Sequence, residues 1–296
     1  MKVLSIFLLL LIASQGVGQV KSVVVDSESK ETIPFVNIWV ENEGKGTTSD
    51  LKGVFEIAVA SGKTLVFSAI GYQTTKLRAK AIGDTVCLKP STIVLSQVTI
   101  IPSDQPQTHT IGKIRKPKIN SYFFCGNNPW MVARQFKYKP QYDSTPFLEK
   151  INILTKSEVK DARFNVRLYQ LNEQGEPAEY LYDQNIYGIA RKGKKLTEID
   201  LSDLYLQFPK QGLLVAIEWL IIDENAHQYN YTLNGSKEVV TGTSFEPSVG
   251  TVTTTNQEDI WMYSGGRWIR PPQNDFGNIE YTQKYGMIAM ELTLSN

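Results

Sequence analysis

Cysteine and histidine are nearly absent, with two of each in 296 residues. Two cysteines cannot build a cysteine-rich zinc site or a disulfide framework. Two isolated histidines argue against a histidine-based catalytic metal centre. A charge excess is also missing. Lys and Arg number 31 and Asp and Glu 30, for a formal charge of +1. That excludes a generic electrostatic nucleic-acid binder. No apolar run beyond the N-terminus approaches the ~18 residues of a membrane-crossing helix, and no motif calls for a cofactor. What remains is an ordinary globular balance, 42% hydrophobic and 21% charged, without the signature of disorder. The length fits roughly two domains.

The N-terminus reads as an address. Met1-Lys2 is a short positive start, Val3 to Ala13 is apolar except for Ser5, and Ser14-Gln15-Gly16-Val17-Gly18 follows. These are the three regions of a secretory signal peptide over residues 1–18. Gly16 and Gly18 take the small positions before a cut that leaves Gln19 first. The apolar run, about 11 residues, is too short to span a bilayer, and no cysteine follows it to carry a lipid. The expectation is an exported chain: periplasmic, outer-membrane-associated or secreted, with no transmembrane segment after signal removal.

Residues 19–100 read as short strands. Val23-Val24-Val25 lies in the first. Phe35 to Val40 alternates, with Val36, Ile38 and Val40 on one face and Phe35, Asn37 and Trp39 on the other. Asp50-Leu51-Lys52-Gly53 is a turn, because Asp bonds its own downstream backbone and Gly tolerates positive φ. Val54 to Val59 puts Phe55, Ile57 and Val59 on one face. Thr64 to Ala69, Thr74 to Arg78, Thr85 to Leu88 and Ile93 to Ile100 complete an all-β sandwich.

The ordered set Ile33-Pro34-Phe35-Val36-Asn37-Ile38, Gly46-Thr47-Thr48-Ser49-Asp50, Gly53-Val54-Phe55 and Ile70-Gly71-Tyr72 resembles the carboxypeptidase-regulatory-like domain. The resemblance covers residues 19–100 and implies a small transthyretin-like (prealbumin-like) β-sandwich. One departure is the start, where Gln19-Val20-Lys21 stands in place of the usual Gly before the first strand. The resemblance implies an accessory module of exported proteins in Gram-negative envelopes, not a peptidase. Such modules commonly precede the plug and barrel of TonB-dependent receptors, and Leu95 to Ile100 resembles the strand leading into a plug. Too few residues follow for a transmembrane barrel.

Residues 101–118, with Pro102, Pro106, Pro117 and the basic Lys113, Arg115, Lys116 and Lys118, read as a linker. Residues 119–296 read as a second, jelly-roll-like β-sandwich of unknown function. Arg163 to Leu171 sets Phe164, Val166 and Leu168 against Arg163, Asn165 and Arg167. Leu213 to Ile222 is almost continuously apolar apart from Glu218, as a central strand would be. A turn of helix is expected near Leu201 to Tyr205. The pattern of Phe164 to Tyr169, Asp200-Leu201-Ser202, Phe208-Pro209 and Gly212 to Leu220 is similar to uncharacterised exported β-sandwich domains that follow this module, and implies no activity.

The chemistry points away from catalysis. A zinc carboxypeptidase needs two His and a Glu on the metal, plus a general base; His109 and His227 stand in no such motif. A serine hydrolase needs a placed Ser and His, and there is no Gly-x-Ser-x-Gly elbow. No catalytic or metal residue is assigned. Cys125 beside His227 remains open geometrically, although its Phe123-Phe124 flank argues burial. Glu218 beside Trp219 is the most provocative carboxylate: a buried acid, a residue on the solvent face of its strand, or a partner for Arg163 or Arg167.

Trp261, Tyr263 and Trp268, with Arg267 and Arg270, form the candidate ligand site, since flat aromatic faces stack on sugars. Asn274, Asp275, Tyr281 and Tyr285 lie near it. Packing at the sandwich edge is the alternative, because Trp is highly buried on average. Phe35 and Trp39 form a candidate partner surface, unless the second domain covers them. Cys87 and Cys125 form a candidate disulfide across the two domains. The expected function is a non-catalytic envelope module that binds an envelope protein or a surface polysaccharide, or that is structural. The alternative is a carbohydrate-active hydrolase or glycan-binding protein using the C-terminal domain.

Overall fold

Period-two alternation dominates the chain, and the structure, a computed structural model, is built from strands. It describes residues 17–91, 107–112, 114, 119–233, 235, 237–273 and 282–296. Outside these lie residues 1–16 of the expected signal peptide and the strand expected over Ile93–Ile100. Lys113, Arg115, Lys116 and Lys118 also lie outside, as do Asn274, Asp275 and Tyr281.

The N-terminal domain comprises β1 (Val17–Asp26), β2 (Asn37–Val40), β3 (Gly46–Thr48), β4 (Val54–Ala60), β5 (Thr64–Ser68), β6 (Thr75–Arg78) and β7 (Thr85–Leu88). One sheet has the order β4-β1-β7, with β1 antiparallel to β4 and parallel to β7. The other, β3-β2-β5-β6, is antiparallel throughout. Val36, Ile38 and Val40 meet Phe55, Ile57, Val59 and Phe67 in the core between them. The Asp50 turn forms as its residue types require. Its Oδ1 accepts the N–H groups of Lys52 and Val54, both at 2.8 Å. Gly53 takes a φ of 75° where a Cβ would sit 2.7 Å from the Val24 carbonyl oxygen.

The second domain is a two-sheet sandwich. Its strands are β8 (Thr108–Ile111), β9 (Ser121–Cys125), β10 (Met131–Phe136), β11 (Phe147–Ser157), β12 (Ala162–Leu171), β13 (Pro177–Tyr180), β14 (Ile186–Ala190) and β15 (Gly193–Asp200). They continue with β16 (Leu213–Trp219), β17 (Ala226–Thr232), β18 (Val239–Thr254), β19 (Ile260–Ser264), β20 (Arg267–Ile269), β21 (Tyr285–Ile288) and β22 (Met290–Ser295). The first sheet runs β13-β12-β16-β10-β19-β20, with β14 also on β12. The second runs β17-β18-β11-β22-β8, with β15 on β11 and β9 and β21 on β18. Phe164, Val166, Leu168, Val215 and Ile217 from one sheet pack on Ile151, Ile153, Val249, Met290 and Leu292 from the other. The short helix near Leu201 is a single 3-10 turn over Ser202–Leu204.

Strand β16 is buried at every position, which explains its nearly unbroken apolar sequence. One face joins the sandwich core, while Leu214 and Ala216 pack outside it with Met131, Ala133, Tyr169 and Trp261. The linker expectation needs one correction. Thr108–Ile111 is a strand at the edge of the second sheet, with Ile111 opposite Leu292 and His109 opposite Leu294. The pairing is carried by backbone groups, so Thr-His-Thr-Ile showed no apolar period.

Candidate functional site at the domain seam

Strand alternation puts Asn37 and Trp39 on the face of the N-terminal domain opposite its core, and Phe35, in the turn before β2, lies outside that core too. The same rule puts Asn165, Arg167 and Glu218 on the outer face of the second domain's first sheet. These two faces meet. Neither reads as an interface by itself, because each carries polar groups at its centre.

Glu218 is the hub, buried at the seam. Its Oε2 accepts from Arg167 Nε at 2.8 Å and from Asn165 Nδ2 at 2.7 Å, and lies 2.6 Å from Arg167 Nη2. Its Oε1 accepts from Nδ2 of Asn37, on β2 of the other domain. Arg167 Nη1 donates to Asn185 Oδ1 at 2.6 Å. Burial works against the charge on Arg167, but the Glu218 carboxylate together with Tyr180 and Tyr169 more than offsets it and holds the guanidinium above its ordinary pKa. Thr48 adds a second polar tie. Its hydroxyl accepts the Ile221 N–H at 3.1 Å and donates to Asn37 Oδ1 at 3.3 Å.

Apolar contacts flank this hub. Phe35 packs with Leu220 and Ile222 and meets the edge of Tyr187 at 5.5 Å between centroids. Phe35 also has a φ of 56°, so strict alternation breaks there. Trp39 meets Tyr263 edge-on at 6.4 Å. Gly46 lies so close to Pro129 of the second domain that a Cβ would sit 2.5 Å from its Cγ. Phe35 and Trp39 are therefore 3% and 9% exposed, and their place as an external partner surface is corrected: the second domain covers them.

The aromatic group expected to hold a ligand packs mostly on protein. Trp261 is buried, donates Nε1 to Gln135 Oε1 at 3.0 Å, and carries the Arg270 guanidinium 3.7 Å above its ring. Arg270 donates to the carbonyls of Gln257, Glu258 and Ile260. Trp268 is half-buried, with Tyr169 and Tyr263 each 5.2 Å away. Burial pushes the Tyr263 hydroxyl up to about 12. Arg267 is exposed, and Tyr285 is half-buried on β21. Beside Trp39 and Tyr263 a crevice reaches in between the domains, lined also by Trp130, Pro129 and Gly266. Its free volume is about 20 Å³, room for roughly one water molecule. Trp130, which sequence reasoning passed over, stacks on the buried Trp219 at 4.7 Å; its Asn-Pro-Trp context in a loop before β10 gave no periodic signal.

Cys87 is exposed and Cys125 buried, and both thiols are free, so the candidate disulfide is not formed. Cys125 lies in the second domain's sandwich core, whereas Cys87 points to solvent from β7. Burial pushes the Cys125 thiol up to about 12, which leaves it protonated and a poor nucleophile at neutral pH. His109 and His227 sit on β8 and β17, at opposite edges of one sheet. Among the described residues, no three His, Cys, Asp or Glu side chains converge as metal ligands would.

No curated protein matches the chain. Among solved structures it is similar to the clostridial cysteine protease Cwp84 after propeptide cleavage, at 12% identity and a TM-score of 0.39, over 85% of this chain and 51% of that one. It is similar to the cysteine protease and lectin-like domains of Cwp84, a surface layer associated protein of Clostridium difficile, at 11% identity and 0.36, over 85% and 45%. A structure of infectious bursal disease virus, Gx strain, aligns at 8% identity and 0.27, over 94% and 60%. The chain thus spans about half the length of the two clostridial chains. At these TM-scores the likenesses carry no argument about function. Residues 20–100 match the CarboxypepD_reg-like domain, and the N-terminal sandwich of this chain is a domain of that kind.

Proposed function

We propose that this chain is an exported, non-catalytic protein of the cell envelope, acting as a binding or structural module. The observation that carries the reading is how the seam uses its reactive groups. Glu218, the candidate acid, spends both oxygens on Asn37, Asn165 and Arg167. A general acid needs access to a substrate, and this buried carboxylate, with both oxygens engaged by protein groups, has none. The hub itself is closed, and the hollow of about 310 Å³ beside it, between Thr48, Asp50 and Glu56 of one domain and Asp223 and Glu224 of the other, lies apart from Glu218. The CarboxypepD_reg-like domain supports export. No helix among the described residues is long and apolar enough to cross a membrane.

Of the two ligand classes, an envelope protein is favoured over a surface polysaccharide. Trp261 and Arg270 are committed to each other, and the crevice beside Tyr263 is too small for a sugar ring. The test is fractionation and cross-linking of the tagged chain in its native cells. The expected result is residence in the envelope and a link to a discrete protein. Cytoplasmic residence, or release of reducing ends from envelope polysaccharide by the purified chain, overturns the reading. Polysaccharide retention that is lost with Trp268→Ala would instead move the site to the aromatic rim.

A further inference from the structure

Strands β17 and β18 run past the body of the second sandwich. β17 pairs with the Val239–Phe245 portion of β18 and, among the described residues, with no other strand. The contacts of β18 with β9, β11 and β21 all begin at Phe245 or later. Residues 227–232 and 239–244 thus form a two-stranded arm, roughly 20 Å long at the usual strand rise. Such a hairpin is only marginally stable alone in water. Every residue of β17 except the half-buried His227 is exposed.

The arm has two unlike faces. Tyr229 and Tyr231 share one face, 40% and 42% exposed, with their rings 5.8 Å apart. Tyr229 lies over Gly242, where a Cβ would meet its ring at 2.8 Å, so the glycine lets the ring lie flat. The other face carries Gln228, Asn230 and Thr232, with Thr241 donating to Asn230 at 3.0 Å. As an edge strand, β17 lacks the guards that edges ordinarily carry. Between Ala226 and Thr232 there is no charge and no proline. The other edge strands of similar length, β4 and β15, carry Glu56, and Lys194, Lys195 and Glu198.

We infer that this arm is a self-association surface, on which β17 pairs antiparallel with β17 of a second copy and continues the sheet across a two-fold axis. The strand is complementary to itself. With Asn230 on the axis, Tyr229 faces the second copy's Tyr231, and the reverse, while Gln228 faces Thr232. Aromatic meets aromatic, amide meets hydroxyl, and no charge meets its own sign. A charged peptide finds no complementary charge on this edge. One strand per copy is less than a standard interface, so the dimer forms in the micromolar range or above. This surface lies away from the seam, and its test is independent of the envelope reading.

Sedimentation velocity on the purified chain, from about 1 to about 500 μM, is the experiment. The expected result is a reversible monomer–dimer equilibrium. Asn230→Lys sets two lysines opposite each other on the axis and weakens the dimer by roughly tenfold or more. Thr241→Lys puts the same charge on the same face one strand inward, about 14 Å from its copy, and leaves the dimer unchanged. Asn230→Asp, which sets two carboxylates opposite each other on the axis, replaces Asn230→Lys if the latter melts below the parent chain. A chain that stays monomeric throughout overturns the inference, as does a dimer that both lysines weaken or neither does. A monomer that instead sediments with phosphatidylcholine vesicles, and loses that with Tyr231→Ser, assigns the face to lipid and overturns it too.

Discussion

Glu218→Gln is the sharpest probe of the seam, because it changes almost no volume. The carboxylate accepts from two Arg167 nitrogens and from the amides of Asn165 and Asn37. A glutamine offers one oxygen and one NH₂. If the oxygen faces Arg167, the NH₂ opposes the Asn37 NH₂; if it is turned round, the NH₂ opposes a guanidinium that is 3% exposed. Either way the charge on Arg167 stays buried without its counter-ion, at a cost of about 3–5 kcal/mol. For a domain of this size that lowers Tm by roughly 6–20 °C. Lys150–Glu198, 2.9 Å apart but on the surface, supplies the control: Glu198→Gln costs less than about 1 kcal/mol. Adding Arg167→Met to Glu218→Gln removes the stranded cation, so the double variant is less destabilised than the sum of the two singles. The assay is thermal and urea unfolding of the whole chain, followed by far-UV circular dichroism and by tryptophan fluorescence. A Glu218→Gln loss no larger than that of Glu198→Gln would refute the argument, because it would mean that water reaches the ion pair and the seam is not closed.

Gly46→Ala drives a methyl against Pro129 Cγ and the Ile38 carbonyl oxygen, each 2.5 Å from the new Cβ. Overpacking of that kind costs about 1–3 kcal/mol, and an unchanged melting curve would show that the domains do not touch there. Thiol titration with an aromatic disulfide at pH 8 should find one reactive group in the native chain, exposed Cys87, and a second, Cys125, only after unfolding; a native chain with no reactive thiol would restore the disulfide. Burial raises the Glu246 carboxyl above its ordinary range. Its contribution to stability is then full below the unfolded value and is lost as pH rises through the folded one. Glu246→Gln should therefore raise Tm at pH 7 and change it little near pH 4, whereas a lower Tm at pH 7 would contradict the assignment.

The N-terminal sandwich was legible because its signals are local. Val36, Ile38 and Val40, and Phe55, Ile57 and Val59, alternate within single strands, and both sets point where that alternation sends them. Asp50 and Gly53 announce their turn by residue type, and the Asp50 side chain makes the bonds that type predicts. β16 was legible for a related reason: a strand with no polar side but Glu218 has both faces covered. β8 was hidden, because an edge strand held by backbone bonds needs no apolar period.

The seam was hidden for a deeper reason. Burial of Asn165 and Arg167, and half-burial of Asn37, is not a property of β12 or β2 but of the two together. On each strand alone, an alternation of apolar and polar residues predicts a solvent face, and that inference is correct until a second domain covers the face. Glu218 left a trace, since a carboxylate in an otherwise apolar strand must find a counter-ion or lose its charge, and Arg167 was among the partners considered for it. What no single-strand pattern supplies is Asn37, which lies 181 positions away and reaches the other carboxylate oxygen. Trp39 makes the same point with an aromatic ring: a large apolar side chain on the outer face of a sheet says that something covers it, and the ring of Tyr263 from the same chain is what does. The aromatic group around Trp261 was ambiguous because stacking on sugar and stacking on Arg270 use the same flat face. Only the position of the guanidinium, 3.7 Å above the ring, decides that the face is occupied from within.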